Sequence, residues 1–114
     1  MPYISTKTSA IISKEKEEML KTKFGKAIEI LPGKTESWLM LSFEDSCRLY
    51  FKGTSGADIA FVQVMLLGRA AKDSYEKLTA EITKILVDEL DLDPAKIYVK
   101  YEEVEHWGWN GGNF

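Results

Sequence analysis

The feature that most limits what this chain can fold into is a repeat of pattern rather than of residues. Strand-like segments start at positions 2 and 59, helical stripes at 13 and 73, and second strand-like segments at 38 and 97. The two halves are therefore offset by 57, 60 and 59 residues, and each reads β-α-β. A crossover helix brings the strands of such a unit together in parallel, and right-handed crossovers put both helices on one face of a four-stranded sheet. The expected class is α+β, a two-layer α/β arrangement of two β-α-β repeats with short edge strands, in one domain spanning residues 1–114. Nothing in the chain remains to cover the other sheet face, so further copies of the chain are expected there, in a homo-oligomer.

The individual segments supply this pattern. In the first half, Ser13 is placed to cap a helix whose opening turns carry Glu15, Glu17 and Glu18, acids suited to the positive end of the dipole. Met19, Leu20, Phe24, Ala27, Ile28 and Leu31 recur at helical spacing and form an apolar face, and Pro32-Gly33 stops the helix. Residues 38–44 read as a strand with much of its length buried, turning at Asp45-Ser46-Cys47 into a hairpin partner at 48–51. In the second half, 59–67 is almost continuously apolar, the pattern of a strand buried on both faces. Asp73 with Glu76 forms a capping pair for a helix striped by Tyr75, Leu78, Ile82, Ile85, Leu86 and Leu90. Residues 97–102 alternate as the last strand, beyond Pro94.

The first strand begins at Met1-Pro2. Removal of methionine before so small a residue leaves a secondary amine at the edge of a sheet. An ordinary α-amino group titrates at roughly 7.7–8.0 and is mostly protonated at neutral pH. Burial or a neighbouring cation lowers that value and makes the amine a base. With Met1 attached, the Pro2 nitrogen is an amide and has no such chemistry.

Composition narrows the alternatives. Fifteen basic residues against eighteen acidic ones, without a basic stripe, argue against a general nucleic-acid binder. The N-terminus has no apolar signal region and no apolar run approaches a membrane span, so a cytoplasmic location is expected. Cys47 and His106 are the only residues of their kinds, which leaves no Cys-x-x-Cys motif and too few soft ligands for a structural zinc site; no metal or organic cofactor is expected. The loop 52–56 has two glycines but lacks the Gly-Lys-Ser/Thr ending of a phosphate-binding loop and reads as a connector. The tail holds Trp107, Trp109 and Phe114 among glycines, and so much aromatic surface is expected to fold back onto the body or a neighbour.

Several of these residues in this order resemble the macrophage migration inhibitory factor family of the tautomerase superfamily. They are Met1-Pro2 before a strand, Pro32-Gly33-Lys34 after the first helix, Asp73-Ser74-Tyr75-Glu76-Lys77-Leu78, Ile97-Tyr98-Val99, and Gly108-Trp109-Asn110 ahead of Phe114. The resemblance covers essentially the whole chain. It implies a homotrimer with active sites between subunits, in which Pro2 is the catalytic base and Lys34 holds a substrate carboxylate and depresses the pKa of the amine. It further implies a backbone N–H near Leu67 that meets the substrate, a tyrosine from the neighbouring subunit at Tyr98, and pocket aromatics at Trp38 and Phe114. Trp107 joins Trp38, Tyr98 and Phe114 in walling an apolar slot.

Departures from the family pattern also carry meaning. Lys100 stands where vertebrate members have a pocket asparagine, and the added charge bears on substrate preference unless Lys100 is spent on Glu102 or a neighbour's acid. Asp58-Ile59-Ala60-Phe61 replaces the Cys-x-x-Cys of those members, so a thiol-oxidoreductase activity is not carried over. The implied reaction is keto–enol tautomerisation of a phenylpyruvate-like aromatic α-keto acid. One alternative is a cytokine-like binding protein with a vestigial pocket, released without a signal peptide, whose partner is a receptor. Another is dehalogenation or decarboxylation, which calls for more arginines than Arg48 and Arg69.

Overall fold

The computed structural model describes all 114 residues. The larger elements are β1 (Pro2–Thr8), α1 (Lys14–Ala27), β2 (Met40–Glu44), β3 (Ala60–Leu67), α2 (Lys72–Leu90) and β4 (Ile97–Val104). A small hairpin of β5 (Gly108–Trp109) and β6 (Gly112–Asn113) ends the chain. The sheet order is β2-β1-β3-β4. Each repeat forms a parallel pair, β1 with β2 and β3 with β4, and the repeats join through the antiparallel pair of β1 and β3. This is the α+β arrangement expected from the doubled pattern.

Alternation along the strands divides the sheet into two faces. Ile4, Thr6 and Thr8 of β1 and Ala60, Val62, Val64 and Leu66 of β3 are buried. They pack against Leu20 and Phe24 from α1, Ile28 from the 3-10 turn that follows it, and Leu78, Ile82 and Leu86 from α2, all without solvent contact. Each such side chain stabilises the fold by about 1.5–3 kcal/mol over leaving it exposed. Glu89 of α2 is held by Lys23 and lies 3.5 Å from Lys16, fastening the two helices together. The opposite sheet face carries Met40, which is 68% exposed, and Tyr98, which is 57% exposed.

Ser13 caps α1 as expected, its hydroxyl accepting from the Lys16 N–H. Several sequence expectations are corrected. Met19 is exposed rather than part of the apolar face, because the buried stripe runs through Leu20, Phe24 and Ala27. Trp38 precedes β2, in a short 3-10 turn at Glu36–Trp38, and β2 is at most half-buried. Helix α2 starts beyond Ala71, so Asp73 lies inside its first turn and makes no side-chain cap. Strand β3 is buried on one face only, since both helices lie on one side.

The hairpin expected at 48–51 does not form. After β2 the chain turns back to the end of β1, with Ser46 N–H donating to Ala10 O at 3.0 Å and Cys47 N–H to Thr8 O at 2.9 Å. Phe51 instead pairs with Thr54 around Lys52-Gly53, both at positive φ (53° and 77°), a two-residue turn of the primed kind.

Candidate active site

Three elements converge on the chain start. Pro2 is buried at the head of β1 and pairs with Leu66. Beyond that pair, the Leu67 N–H donates to Met1 O at 3.1 Å. The loop after α1 contains a tight turn in which Lys34 N–H donates to Leu31 O at 3.0 Å and Gly33 sits at φ 80°. Proline followed by glycine at positive φ is the sequence of a type II turn. It delivers the Lys34 side chain, whose ammonium donates to Leu67 O at 3.2 Å. The terminal amine on Met1 titrates below its ordinary value, first because it is partly buried and then because Lys34 stands beside it. Both causes disfavour the protonated form.

An open cleft of about 1100 Å³ lies at this end of the bare sheet face. It runs from Ser37 and Trp38, across Met1, Pro2 and Tyr3, to Met65 and Glu102, with His106, Trp107 and Trp109 of the tail along its wall. The pairing places Met40, Tyr3, Met65 and Glu102 in one row across all four strands. The tail leaves β4 at one edge, yet Trp109 meets Trp38 edge-on at 5.0 Å, ahead of the opposite edge strand. It therefore spans the sheet, a width of about 14 Å at ordinary strand spacing. Phe114 completes the cluster, edge-on to Trp38 at 6.5 Å and stacked on Trp109 at 6.0 Å. The tail thus folds back onto the body.

Of the residues singled out from sequence, Pro2, Trp38 and Trp107 line this cleft. Lys34 and Leu67 meet at the chain start, and Phe114 packs on the cleft's aromatic wall. Tyr98 lies elsewhere in the same chain. Its strand partner is Phe61, five residues along β3 from Leu66, or about 17 Å away. There it packs edge-on against Phe51 at 5.2 Å and Phe61 at 6.4 Å. Lys100 pairs across from Gln63, and its ammonium lies 3.8 Å from Glu102. The geometry of one chain thus separates Tyr98 and Lys100 from Pro2. Met65, Glu102, His106 and Trp109 were not foreseen as site residues. Period-two alternation was the signal for Met65 and Glu102, because both fall on the bare face opposite Val64 and Tyr101. No three His, Cys, Asp or Glu side chains gather into a metal-binding group, and no helix is long and apolar enough to cross a membrane.

The family profile described as macrophage migration inhibitory factor (MIF) matches residues 1–114. Among solved structures, the chain is similar to Leishmania major MIF2, with 32% identity and a TM-score of 0.92, over 100% of this chain and 97% of that one. A homologue from Prochlorococcus marinus matches with 24% identity and a TM-score of 0.88, over 98% of both chains. The MIF-like protein of Entamoeba histolytica matches with 21% identity and a TM-score of 0.87, over 99% and 98%. Comparison with curated protein sequences found no match.

Proposed function

The chain belongs to the macrophage migration inhibitory factor family, and from that premise we propose that it is a keto–enol tautomerase acting on phenylpyruvate-like α-keto acids. The observation that carries this reading is the Lys34 ammonium beside a partly buried terminal amine, which favours the neutral, basic form of that amine. Once Met1 is removed, the amine belongs to Pro2, at the mouth of the same cleft.

The chemistry follows from these parts. The neutral Pro2 nitrogen takes a proton from the carbon next to the ketone. The C–H electron pair becomes the enol double bond, and the carbonyl π pair moves onto oxygen, which the prolinium then protonates. Such acid–base work contributes typically 10²–10⁴-fold. Lys34 holds the carboxylate. The Leu67 N–H, which donates to Met1 O in the unprocessed chain, becomes a donor for the developing oxyanion when Met1 leaves. Trp38, Trp107 and Phe114 enclose the ring.

A homotrimer is part of the proposal. It would cover the bare sheet face and let a neighbour bring Tyr98, with Lys100 two residues along, to the Pro2 cleft.

The test is ketonisation of enol-phenylpyruvate, followed by ultraviolet absorbance, on protein whose intact mass shows Met1 gone. Activity is expected in that protein and not in Pro2→Ala. No activity in the processed protein would sink the tautomerase reading and bring a receptor-binding role forward.

A further inference from the structure

The peptide group on which Lys34 rests is held from behind. The Lys34 ammonium donates to Leu67 O, and the N–H of the same Leu67–Gly68 peptide donates to Val104 O at 3.0 Å. The orientation of that one peptide plane therefore sets where the ammonium stands. Beyond it the chain leaves the sheet at Gly68, whose φ is 85°, and reaches the start of α2 at Ala71. Between these points Arg69 and Ala70 make a single hydrogen bond within the chain, from the Ala70 N–H to the Tyr75 hydroxyl oxygen at 3.0 Å.

The other contacts of Tyr75 commit it to that bond. Its proton goes to Glu103 Oε2 at 2.6 Å, so its oxygen is left to accept from Ala70. A phenol that donates to a carboxylate makes a short, charge-assisted bond and becomes a better acceptor in turn. The Tyr75 ring leans on Tyr101 with centroids 4.5 Å apart, and the Tyr101 hydroxyl donates to Tyr75 O at 3.0 Å. Glu103 pairs with Leu66, which pairs with Pro2, so the far end of this tether lies in the same row of the sheet as the base. Neither Tyr75 nor Glu103 lines the cleft; strand alternation puts Glu103 with Leu66 on the helix side of the sheet.

We propose that Tyr75 is a positioning residue: its hydroxyl fixes the loop after Leu67 and, through the Leu67 carbonyl, holds the Lys34 ammonium beside the Pro2 amine. This rests on the tautomerase reading and goes beyond it, to a residue that meets neither substrate nor base. Without the hydroxyl the loop loses its tether and the Leu67 carbonyl its fixed direction. Lys34 then spends less time beside the amine and the substrate carboxylate. Losing one such bond lowers kcat/KM by about 3- to 10-fold. The pKa of the amine moves up, by less than in Lys34→Ala.

The experiment is a double-mutant cycle on Met1-free protein: kcat and KM for enol-phenylpyruvate in wild type, Tyr75→Phe, Lys34→Ala and the double variant, with the Pro2 amine titrated in each by nitrogen NMR. Phenylalanine keeps the ring on Tyr101. Tyr101→Phe removes a hydroxyl from the same cluster but spares the tether, and so controls for stability alone. The expected result is that Tyr75→Phe lowers kcat/KM mainly through KM and raises the amine pKa, that it changes neither in the Lys34→Ala background, and that Tyr101→Phe matches wild type in both. Glu103→Ala removes the tether's far end and is expected to repeat both shifts in smaller measure, which keeps the test decisive if Tyr75→Phe fails to fold. The same factor lost in both backgrounds, an unmoved amine pKa, or an equal loss in Tyr101→Phe overturns the role of Tyr75 while leaving the tautomerase reading intact. Absence of turnover in wild type overturns the tautomerase reading alone, and the amine titrations then decide for or against Tyr75. Thermal melts confirm which variants are folded.

Discussion

Replacing Lys34 by alanine separates its two proposed effects at the chain start. One is substrate binding. A hydrogen bond to a charged partner contributes about 1.5–3 kcal/mol, so losing the contact to a substrate carboxylate lowers kcat/KM by about 10- to 150-fold. The other is electrostatic. The Met1 amine sits below its ordinary value through burial first and through Lys34 second; with the Pro2 amine taken to inherit both causes once Met1 leaves, Lys34→Ala removes the second and leaves the first. The amine's pKa then moves up, and only part of the way back. Because the working form is the neutral base, kcat/KM rises as pH passes upward through that pKa. In Lys34→Ala the rise is displaced to higher pH. The assay is the pH profile of kcat/KM for enol-phenylpyruvate in Met1-free protein, with Lys34→Arg alongside. Arginine retains the charge, so its profile stays near wild type even if its planar fork fits the carboxylate less well. An unmoved profile in Lys34→Ala, together with kcat/KM within about twofold of wild type, would refute the reasoning.

Two further predictions concern the scaffold. The carboxyl of Glu89 is held below its usual range chiefly by the hydrogen bond from Lys23 and then by the charges of Lys23 and Lys16. A carboxylate depressed on folding contributes stability above its unfolded pKa and loses it as pH falls through the folded value, so Glu89→Gln should lower the urea midpoint at neutral pH and match wild type in strong acid; a constant gap across that range would contradict this origin. Sedimentation equilibrium should give three times the 12.9 kDa chain mass, and mixing separately inactive Pro2→Ala and Tyr98→Ala subunits, unfolded and refolded together, should restore part of the activity. Failure to restore any activity would mean that the two residues do not act across an interface.

The sequence by itself determined the elements and their order. The doubled β-α-β pattern led to the sheet and its two helices because parallel pairing requires a crossover and crossovers have one hand. Pro32-Gly33 marked the turn that presents Lys34, because only glycine takes a φ of 80° there without strain. Ser13 announced its helix because a hydroxyl at that position meets an otherwise unpaired N–H. The apolar run at 59–67 misled as to burial, since hydrophobicity along a strand does not say whether a second layer covers its other face. The 48–51 segment misled as to pairing, because its neighbours bond to the end of β1, a partner remote in sequence.

Only the tertiary structure decided the cleft. Nothing local in Gly108-Trp109 says that the tail crosses the sheet to meet Trp38. Nothing in Tyr98 says that it lies about 17 Å along β3 from Pro2's partner. Secondary structure follows from interactions a few residues apart, which the sequence displays directly. A site follows from strand register and from which faces are left bare, and those are fixed only when the whole chain packs.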